Sequence, residues 1–221
     1  MSAEQTQATA PDAAVRHYAD GAVDDVMVVG VGGQGVIVAA AVIADTAMLH
    51  GGLQVKLSET RGMSQRGGSV SSHIRIGTTV VAPSISPGEV DYLLAFEQAE
   101  GLRLAPSVVL GGVAIVNTQQ IVPPLASQGE YAYPFDAAER MKGAAGQRVT
   151  VVDGNAIALE VGDLKVAGVV LVGALSTHLP FATSTWEKAL ARNVPASWLE
   201  LNLAAFAAGR HAGGADADDE T

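Results

Sequence analysis

The feature that most constrains the fold is a short apolar run that stops at a glycine-rich turn and continues as a helix. Residues 25–30 (DVMVVG) form a β-branched run ending in glycine, which is typical of a buried strand. Residues 30–35 (GVGGQG) predict a tight turn, and residues 36–50 have helical composition and stop before Gly51 and Gly52. A strand, a glycine turn and a helix in this order predict the first unit of an α/β domain.

Strands and helices continue to alternate along the rest of the chain. Apolar or alternating runs predict strands at 54–58, 70–76, 91–96, 113–117 and 148–153. Helical patterns cover 97–104, begin at 155–159, and recur at 166–178, 186–191 and 197–209, while the Pro/Gly/Ala-rich residues 123–147 predict a long excursion. This alternation predicts a three-layer α/β/α fold with an open, mainly parallel, Rossmann-like sheet and a helical C-terminus.

Length and composition fit one domain with short extensions. The chain has 221 residues, of which 48% are hydrophobic and 16% charged, so it can bury a sizeable core. We expect a mobile leader over 1–24, a single domain over 25–210 and an acidic tail over 211–221. No apolar run reaches the roughly 18 residues of a membrane helix, and the N-terminus does not resemble a secretory signal. We therefore expect a cytoplasmic protein.

Charge and cysteine content exclude several classes of function. A net charge of −10 disfavours nucleic acid, because its phosphates would be repelled. The chain has no cysteine, so it can hold neither a disulfide framework nor a thiolate-ligated iron–sulfur cluster. The five histidines are scattered without paired carboxylates, which argues against a metal site. Ser64 lacks a nucleophile-elbow setting, which argues against a hydrolase.

Residues 58–69 (SETRGMSQRGGS) place unusual chemistry between two predicted strands; we call them the arginine loop. Arg61 and Arg66 offer planar forks that suit phosphate or carboxylate groups. Gly62, Gly67 and Gly68 let backbone amides approach a ligand or a partner chain closely. Loops that carry convergent donors and glycines usually bind something, and we expect the same here.

The glycine turn itself matches a dinucleotide-binding pattern. Gly30, Gly32 and Gly35 satisfy G-x-G-x-x-G between a strand and a helix, and Glu59 follows near the end of the second strand. Amides at the start of the helix would bind a pyrophosphate. The alternative is that the glycines only form the turn and allow close packing. Gln34 in the middle of the turn, and the arginine loop after Glu59, favour that alternative.

The glycine turn and the arginine loop together carry a family resemblance. The runs are GVGGQG at 30–35, SE at 58–59, GMSQRGGSV at 62–70 and SHIRIG at 72–77. They resemble the small subunit of 2-oxoacid:ferredoxin oxidoreductases, and most closely the beta subunit of the indolepyruvate type, which is homologous to the gamma subunit of the pyruvate type. GVVLVGAL at 168–175, Trp186 and NLAAFAAG at 202–209 resemble the closing helices of that family. The likeness covers roughly residues 25–210, so it implies a gamma-type domain there.

The resemblance implies a reaction shared between chains. Members of the family oxidatively decarboxylate a 2-oxoacid with coenzyme A, giving acyl-CoA, carbon dioxide and reduced ferredoxin or another acceptor. Thiamine diphosphate, Mg²⁺ and 4Fe–4S clusters belong to a large partner subunit in the indolepyruvate type, and a cysteine-free chain fits that division. Thr60 and Arg61 stand where such relatives often carry Val-His, so indolepyruvate, phenylpyruvate and other aryl 2-oxoacids stay open as substrates.

The candidate site residues come from these segments, and we assign none of them a catalytic role. Arg66 can clamp a phosphate or a partner carboxylate, or it can pair with Glu59 to hold the loop. His73 on a polar strand face can carry a proton or simply hydrogen-bond. Two other functions stay open: a stand-alone NAD- or FAD-binding enzyme, and a non-catalytic assembly partner. The predicted cofactor-binding or interface residues are Gly30, Gly32, Gly33, Gln34, Gly35, Glu59, Arg61, Gly62, Met63, Ser64, Gln65, Arg66, Gly67, Gly68, Ser69 and His73.

Overall fold

A six-stranded sheet forms the centre of the computed structural model, which describes residues 17–18, 21–61, 68–143 and 146–214. The strands are β1 Val23–Val31, β2 Gln54–Arg61, β3 Ser69–Gly77, β4 Val90–Ala95, β5 Val108–Asn117 and β6 Arg148–Val152. Their order across the sheet is β2-β3-β1-β4-β5-β6. The predicted strands are therefore confirmed, most of them one to a few residues longer than expected.

Within this sheet, β3 runs against its neighbours. It pairs antiparallel with both β1 and β2, whereas β1, β4, β5 and β6 pair in parallel. The short connection after β2 explains this reversal, because a parallel return needs a crossover of about a dozen residues or more. The prediction of an open, mainly parallel sheet is confirmed, with an antiparallel strand inserted beside β1.

Helices cover both faces of the sheet. They are α1 Val36–His50, α2 Gln98–Leu104, α3 Pro124–Ser127, α4 Ala137–Lys142, α5 Gly154–Val161, α6 Ala167–Ser176, α7 Thr183–Asn193 and α8 Leu199–Ala212. On one face, α1 and α5–α8 pack on side chains such as Val26, Val28 and Leu94. On the other face, α2 and α4 cover a smaller core that includes Val29 and Leu93. The three-layer arrangement is thus confirmed.

The C-terminal helices pack closely because glycines lie where they cross. A Cβ atom at Gly209 on α8 would clash with the carbonyl oxygen of Val170 on α6, and one at Gly173 would clash with that of Phe206. Short 3₁₀ turns at Leu164–Val166 and Ala196–Trp198 lead into these two helices. At the N-terminus of α6, a Cβ atom at Gly168 would clash with the ring of Phe96, so this end of the helix lies against the carboxyl end of β4.

The predicted division into leader, domain and tail stays a prediction. Residues 1–16 and 215–221 lie outside the described residues. Among the described ones, Tyr18 is fully buried in the core and β1 begins at Val23, while α8 extends to Ala212. The packed part of the chain therefore extends slightly beyond 25–210 at both ends. In the described part of the chain, no helix has the length and apolar character needed to cross a bilayer.

Candidate functional site

The glycine turn leaves open space at the carboxyl end of β1. Gly33 and Gly35 have φ values of 99° and 90°, a left-handed conformation that glycine adopts without strain. A Cβ atom at either position would meet no other atom within 4 Å. Gly35 is also the N-cap of α1, so the first amides of that helix face this space.

Gln34 folds back from the turn and connects three strand ends. Its Oε1 accepts from the amide of Val31 at 2.6 Å, while its Nε2 donates to the carbonyl of Phe96 at 3.0 Å and to Oε1 of Gln119 at 2.7 Å. Gly30 makes room for this arrangement, since a Cβ atom there would lie 2.7 Å from Gln34 Oε1. Gln34 therefore ties together the carboxyl ends of β1, β4 and β5, a role that the turn pattern alone does not reveal.

A crevice of about 360 Å³ opens beside Gln34. It lies at the carboxyl ends of the neighbouring strands β1 and β4. The chain continues from β1 into α1 on one face of the sheet, and from β4 into α2 on the opposite face. Such a switch point at the carboxyl ends of strands is where open α/β sheets bind ligands. Besides glycines and apolar groups, the crevice is lined by Gln34, Asn117, Gln119, Asn155 and Lys165.

Side-chain amides and helix ends give the crevice an anion-attracting character. Asn117 is buried, accepts from the amide of Gly154 at 3.1 Å and donates to the carbonyl of Phe96 at 3.2 Å, so it fixes the start of α5. The N-termini of α1, α5 and α6 all border the crevice. Among the described residues that line it there is a lysine, Lys165, and no carboxylate. Helix N-termini and an ammonium group together favour a negatively charged ligand.

The beginning of α2 is fixed by a buried carboxylate next to the crevice. Glu97 caps the helix by accepting from the amide of Glu100 at 2.9 Å, and it also accepts from the amide of Ile121 and the hydroxyl of Tyr133. Burial, and secondly the bond to Glu97, raises the pKa of Tyr133. Glu97 is thus engaged in holding residues 118–133 against α2 rather than directed at a ligand.

The described end of the arginine loop contacts the glycine turn. The amide of Gly32 donates to the carbonyl of Gly68 at 2.9 Å. Ser69 donates to Glu100 at 2.6 Å and accepts from Arg103 at 2.8 Å. The structure therefore brings two of the predicted segments together at one edge of the sheet. Gly62, Met63, Ser64, Gln65, Arg66 and Gly67, and the side chain of Arg61, lie outside the described residues.

Two predicted site residues lie away from the crevice. Glu59 is exposed on β2, opposite Ser72, and the whole width of β3 separates it from β1. An acid that reads the ribose of a dinucleotide belongs on the strand next to β1, so this position disfavours the dinucleotide alternative. His73 accepts from the amide of Ile85 through Nδ1 at 3.2 Å. Burial lowers its pKa, partly offset by Asp25.

Other residues at the crevice were missed by sequence reasoning. Asn117, Gln119, Asn155 and Lys165 line it from β5 and from the starts of α5 and α6. Their signal in the sequence is positional, because polar residues that follow a buried strand lie at the carboxyl edge of a parallel sheet. The predicted change from a strand at 148–153 to a helix that begins near residue 155 is confirmed by β6 and α5.

Comparison with known proteins identifies the family. Residues 25–212 match the family described as pyruvate ferredoxin/flavodoxin oxidoreductase. The chain belongs to this family. It is 38% identical over 188 residues to the indolepyruvate oxidoreductase subunit IorB of Archaeoglobus fulgidus, covering 84% of this chain and 92% of that one. The suspected resemblance is therefore confirmed.

Solved structures show the same fold. The gamma subunit of a keto/oxoacid ferredoxin oxidoreductase from Geobacter sulfurreducens matches with a TM-score of 0.65 at 26% identity, over 86% of this chain and 98% of that one. A 2-oxoglutarate:ferredoxin oxidoreductase from Magnetococcus marinus, solved with 2-oxoglutarate, coenzyme A and succinyl-CoA bound, matches with a TM-score of 0.67 at 20% identity. The match covers 86% of this chain but 31% of that one, so the fold there is part of a longer polypeptide.

Proposed function

We propose that this chain is the cluster-free subunit of a thiamine-diphosphate-dependent 2-oxoacid:ferredoxin oxidoreductase of the indolepyruvate type. The complex would convert an aryl 2-oxoacid and coenzyme A to acyl-CoA, carbon dioxide and a reduced acceptor such as ferredoxin. The likeness to an indolepyruvate oxidoreductase subunit over 84% of the chain supports this proposal. We place the complex in the cytoplasm, where thiols and reduced centres persist.

The residues of this chain do not fit the redox cofactors themselves. It has no cysteine to ligate iron, and no group of three or more His, Asp or Glu among the described residues is placed to hold a metal ion. We therefore assign thiamine diphosphate, Mg²⁺ and the 4Fe–4S clusters to a large partner subunit. What this chain offers instead is a crevice whose described lining residues supply amides and an ammonium group but no carboxylate.

We propose that this crevice, together with the arginine loop, binds the phosphate groups of coenzyme A at the contact with the large subunit. The observation that supports this step is the hydrogen bond from Gly32 to Gly68, because it joins the last part of the arginine loop to the residue before Gly33, which lines the crevice. Amides at the helix N-termini would donate to phosphate oxygens, and Arg61 and Arg66 would supply bidentate forks. No carboxylate among the described lining residues would oppose that anion.

Reconstitution tests the first part of the proposal. We expect the purified chain to be inactive alone and to support 2-oxoacid oxidation only when co-expressed with a large thiamine- and cluster-containing subunit. Full activity of the isolated chain would contradict this division of labour. A non-catalytic assembly partner would be needed only while the complex forms. If the complex kept its activity after this chain was removed from it, that alternative would be favoured.

Steady-state kinetics of the complex test the coenzyme A site. We expect Arg61→Ala, Arg66→Ala and Ala167→Phe, which fills the crevice, each to raise KM for coenzyme A with kcat little changed, since they weaken ground-state binding. Arg140→Ala is the matched control, because that arginine lies on α4, pairs with Asp136 at 3.8 Å and does not line the crevice. Unchanged turnover and unchanged KM in all three variants would refute the site.

A further inference from the structure

A second cavity, which we call the apolar cleft, lies behind the glycine turn. It has a volume of about 250 Å³ and runs between α1, α6 and the segment that joins α7 to α8. Val38 and Val42 line it from α1, Val169 and Val172 from α6, and Trp198 from the opposite side. Its volume lies just below the ~300–1,000 Å³ of sites for drug-sized ligands, so it has room only for a small molecule.

The deep walls of the cleft are apolar and buried. Val42 and Val172 have no exposed surface, and Val169 is 8% exposed. Val38, by contrast, is 43% exposed and lies on the open side of the cleft. The two lining asparagines each donate to a group of the protein: Asn193 to Asp45 at 2.6 Å, and Asn202 to the carbonyl of Trp198 at 2.8 Å. The interior therefore suits a hydrocarbon rather than a polar group.

Among the described residues that line the cleft the charged one is a lysine, and the nearby carboxylate of Asp45 already accepts from Asn193. Lys165 lines both the cleft and the neighbouring crevice, and its ammonium nitrogen lies 5.0 Å from the centroid of the Trp198 ring. This cation–π contact holds the ammonium group over one wall of the cleft. The nearby Asp163 is committed to capping the turn, because it accepts from the amide of Lys165 at 2.8 Å. No carboxylate is found among the described residues that line the cleft.

We propose that the apolar cleft binds a small monocarboxylate with an apolar tail, the tail lying between α1 and α6 and the carboxylate facing Lys165. A charge-assisted hydrogen bond to the ammonium group would fix the head, and burial of hydrocarbon against valines would supply most of the affinity. A neutral hydrocarbon would make no ionic contact with Lys165, and an anion without an apolar tail would leave the valine side chains in contact with water. Every residue that lines the cleft belongs to this chain, so the site can be tested without the partner subunit, but it shares Lys165 with the crevice proposed for coenzyme A.

Isothermal titration of the full-length chain with three probes tests the proposal. We expect hexanoate to bind at least about tenfold more tightly than either hexanol or acetate, because only hexanoate carries both a charge and a tail. Trp198 lines the cleft and Trp186 does not, so a change in tryptophan emission on titration that is absent in Trp198→Phe would come from the cleft. Absence of binding by hexanoate at millimolar concentration would overturn the proposal.

Two variants separate the head from the tail. Lys165→Met keeps the stem over Trp198 but removes the charge, so hexanoate should bind about tenfold more weakly while hexanol is unaffected. Val38→Phe narrows the cleft and should weaken both probes. Met48→Phe is the matched control on the same helix, since Met48 is 53% exposed and does not line the cleft.

The proposal fails if hexanol or acetate binds as tightly as hexanoate, or if Lys165→Met leaves hexanoate binding unchanged. It also fails if Met48→Phe weakens binding as much as Val38→Phe, since the effect would then not come from the cleft. None of these measurements requires the large subunit. A complex that is inactive, or indifferent to coenzyme A variants, would therefore overturn the proposed function and leave this inference standing.

Discussion

The two ends of the sheet both collect polar groups, but they use them differently. At the amino end, Arg75 grips Asp25 through two bonds of 2.6 and 2.9 Å, Asp91 accepts from the amide of Asp25 at 2.9 Å, and Tyr18 donates to Asp24 at 2.6 Å. Each of these polar groups is engaged with another group of the same cluster. At the carboxyl end, amides and an ammonium group surround an open crevice instead.

This difference separates structural from functional polarity. Burial raises the pKa of Asp25 and of Asp91, but Arg75 opposes the effect at Asp25, and so the cluster stabilises itself without a ligand. The crevice has no such closure, because its lysine faces no carboxylate among the described lining residues. In this molecule the shifted pKa values of Asp25 and Asp91 therefore belong to a structural cluster. The candidate site is instead recognised as an open crevice whose described lining residues carry a positive charge and no carboxylate.

The strongest test of the comparison is Arg75→Met at the amino end. The Asp25 side chain is 6% exposed, so losing the guanidinium leaves a buried carboxylate unpaired, which costs about 3–5 kcal/mol of stability. Urea unfolding at pH 7 measures the loss. Arg103→Met is the control: its pair with Glu100 leaves the arginine 52% exposed, and the cost should be under about 1 kcal/mol. Equal costs for the two variants would contradict a closed, structural cluster.

Gln34→Leu probes the carboxyl end. The substitution removes the bonds to Val31, Phe96 and Gln119, and we expect a loss of about 2 kcal/mol because partly buried groups lose their partners. Urea unfolding measures it, and we also expect a raised KM for coenzyme A in the complex, because the crevice loses its wall.

The control for Gln34→Leu is Gln120→Leu, at an exposed glutamine that donates to the carbonyl of Phe135 at 3.2 Å. Its cost should stay within about 0.5 kcal/mol, as for most surface substitutions. A Gln34 variant as stable as the Gln120 variant would show that the turn does not depend on this side chain.

The local parts of this architecture follow from the sequence, whereas its assembly does not. Helix Val36–His50 is predicted with the bounds that the structure gives it, because glycines stand immediately before and after it at Gly35 and Gly51. The alternation of polar and apolar residues predicts β3 as a strand but carries no information on its direction. That direction follows from the length of the connection after β2, which only matters once the two strands are known to be neighbours.

The site divides in the same way. Gln34 is identifiable from the turn pattern, but Asn117, Asn155 and Lys165 lie some distance along the chain and reach the crevice only through the order of the strands. Glu59 fits the dinucleotide spacing in sequence, yet β3 separates it from β1. The spacing between the glycine turn and Glu59 cannot show that β3 is inserted between their strands. The dinucleotide-like motif therefore does not form a dinucleotide site of the usual geometry here.

Tyr18→Phe tests how tightly the amino-end cluster is closed. The ring stays packed, since Tyr18 is fully buried and stacks on Phe181 at 6.3 Å, but the bond to Asp24 is lost. We expect a loss of about 1 kcal/mol in urea unfolding, the usual net value of one hydrogen bond. Tyr131→Phe, at a tyrosine that is 49% exposed, should change stability by less than about 0.5 kcal/mol. No difference between the two would mean that Asp24 does not need the hydroxyl.

The smallest expected effect concerns His73, whose Nδ1 accepts from the amide of Ile85. A protonated ring cannot accept this bond, and burial lowers the pKa of His73 below its ordinary value of 6.5. The unfolded chain therefore binds the proton more readily than the folded one. Stability that His73 contributes above pH 6.5 is lost as pH falls through that value toward the lower pKa of the folded state.

His73→Asn separates this titration from the others. The asparagine Oδ1 can accept from Ile85 in place of Nδ1 but takes up no proton, so the variant should lose less stability than the parent between pH 7 and pH 5. Each titrating histidine can change stability by at most about 1.4 kcal/mol per pH unit, and a difference of several tenths of a kcal/mol is expected.

His178, whose pKa burial also lowers, and the buried aspartates titrate in both proteins and cancel in the comparison. Parallel pH profiles for parent and variant would show that protonation of His73 does not affect stability and would contradict this prediction.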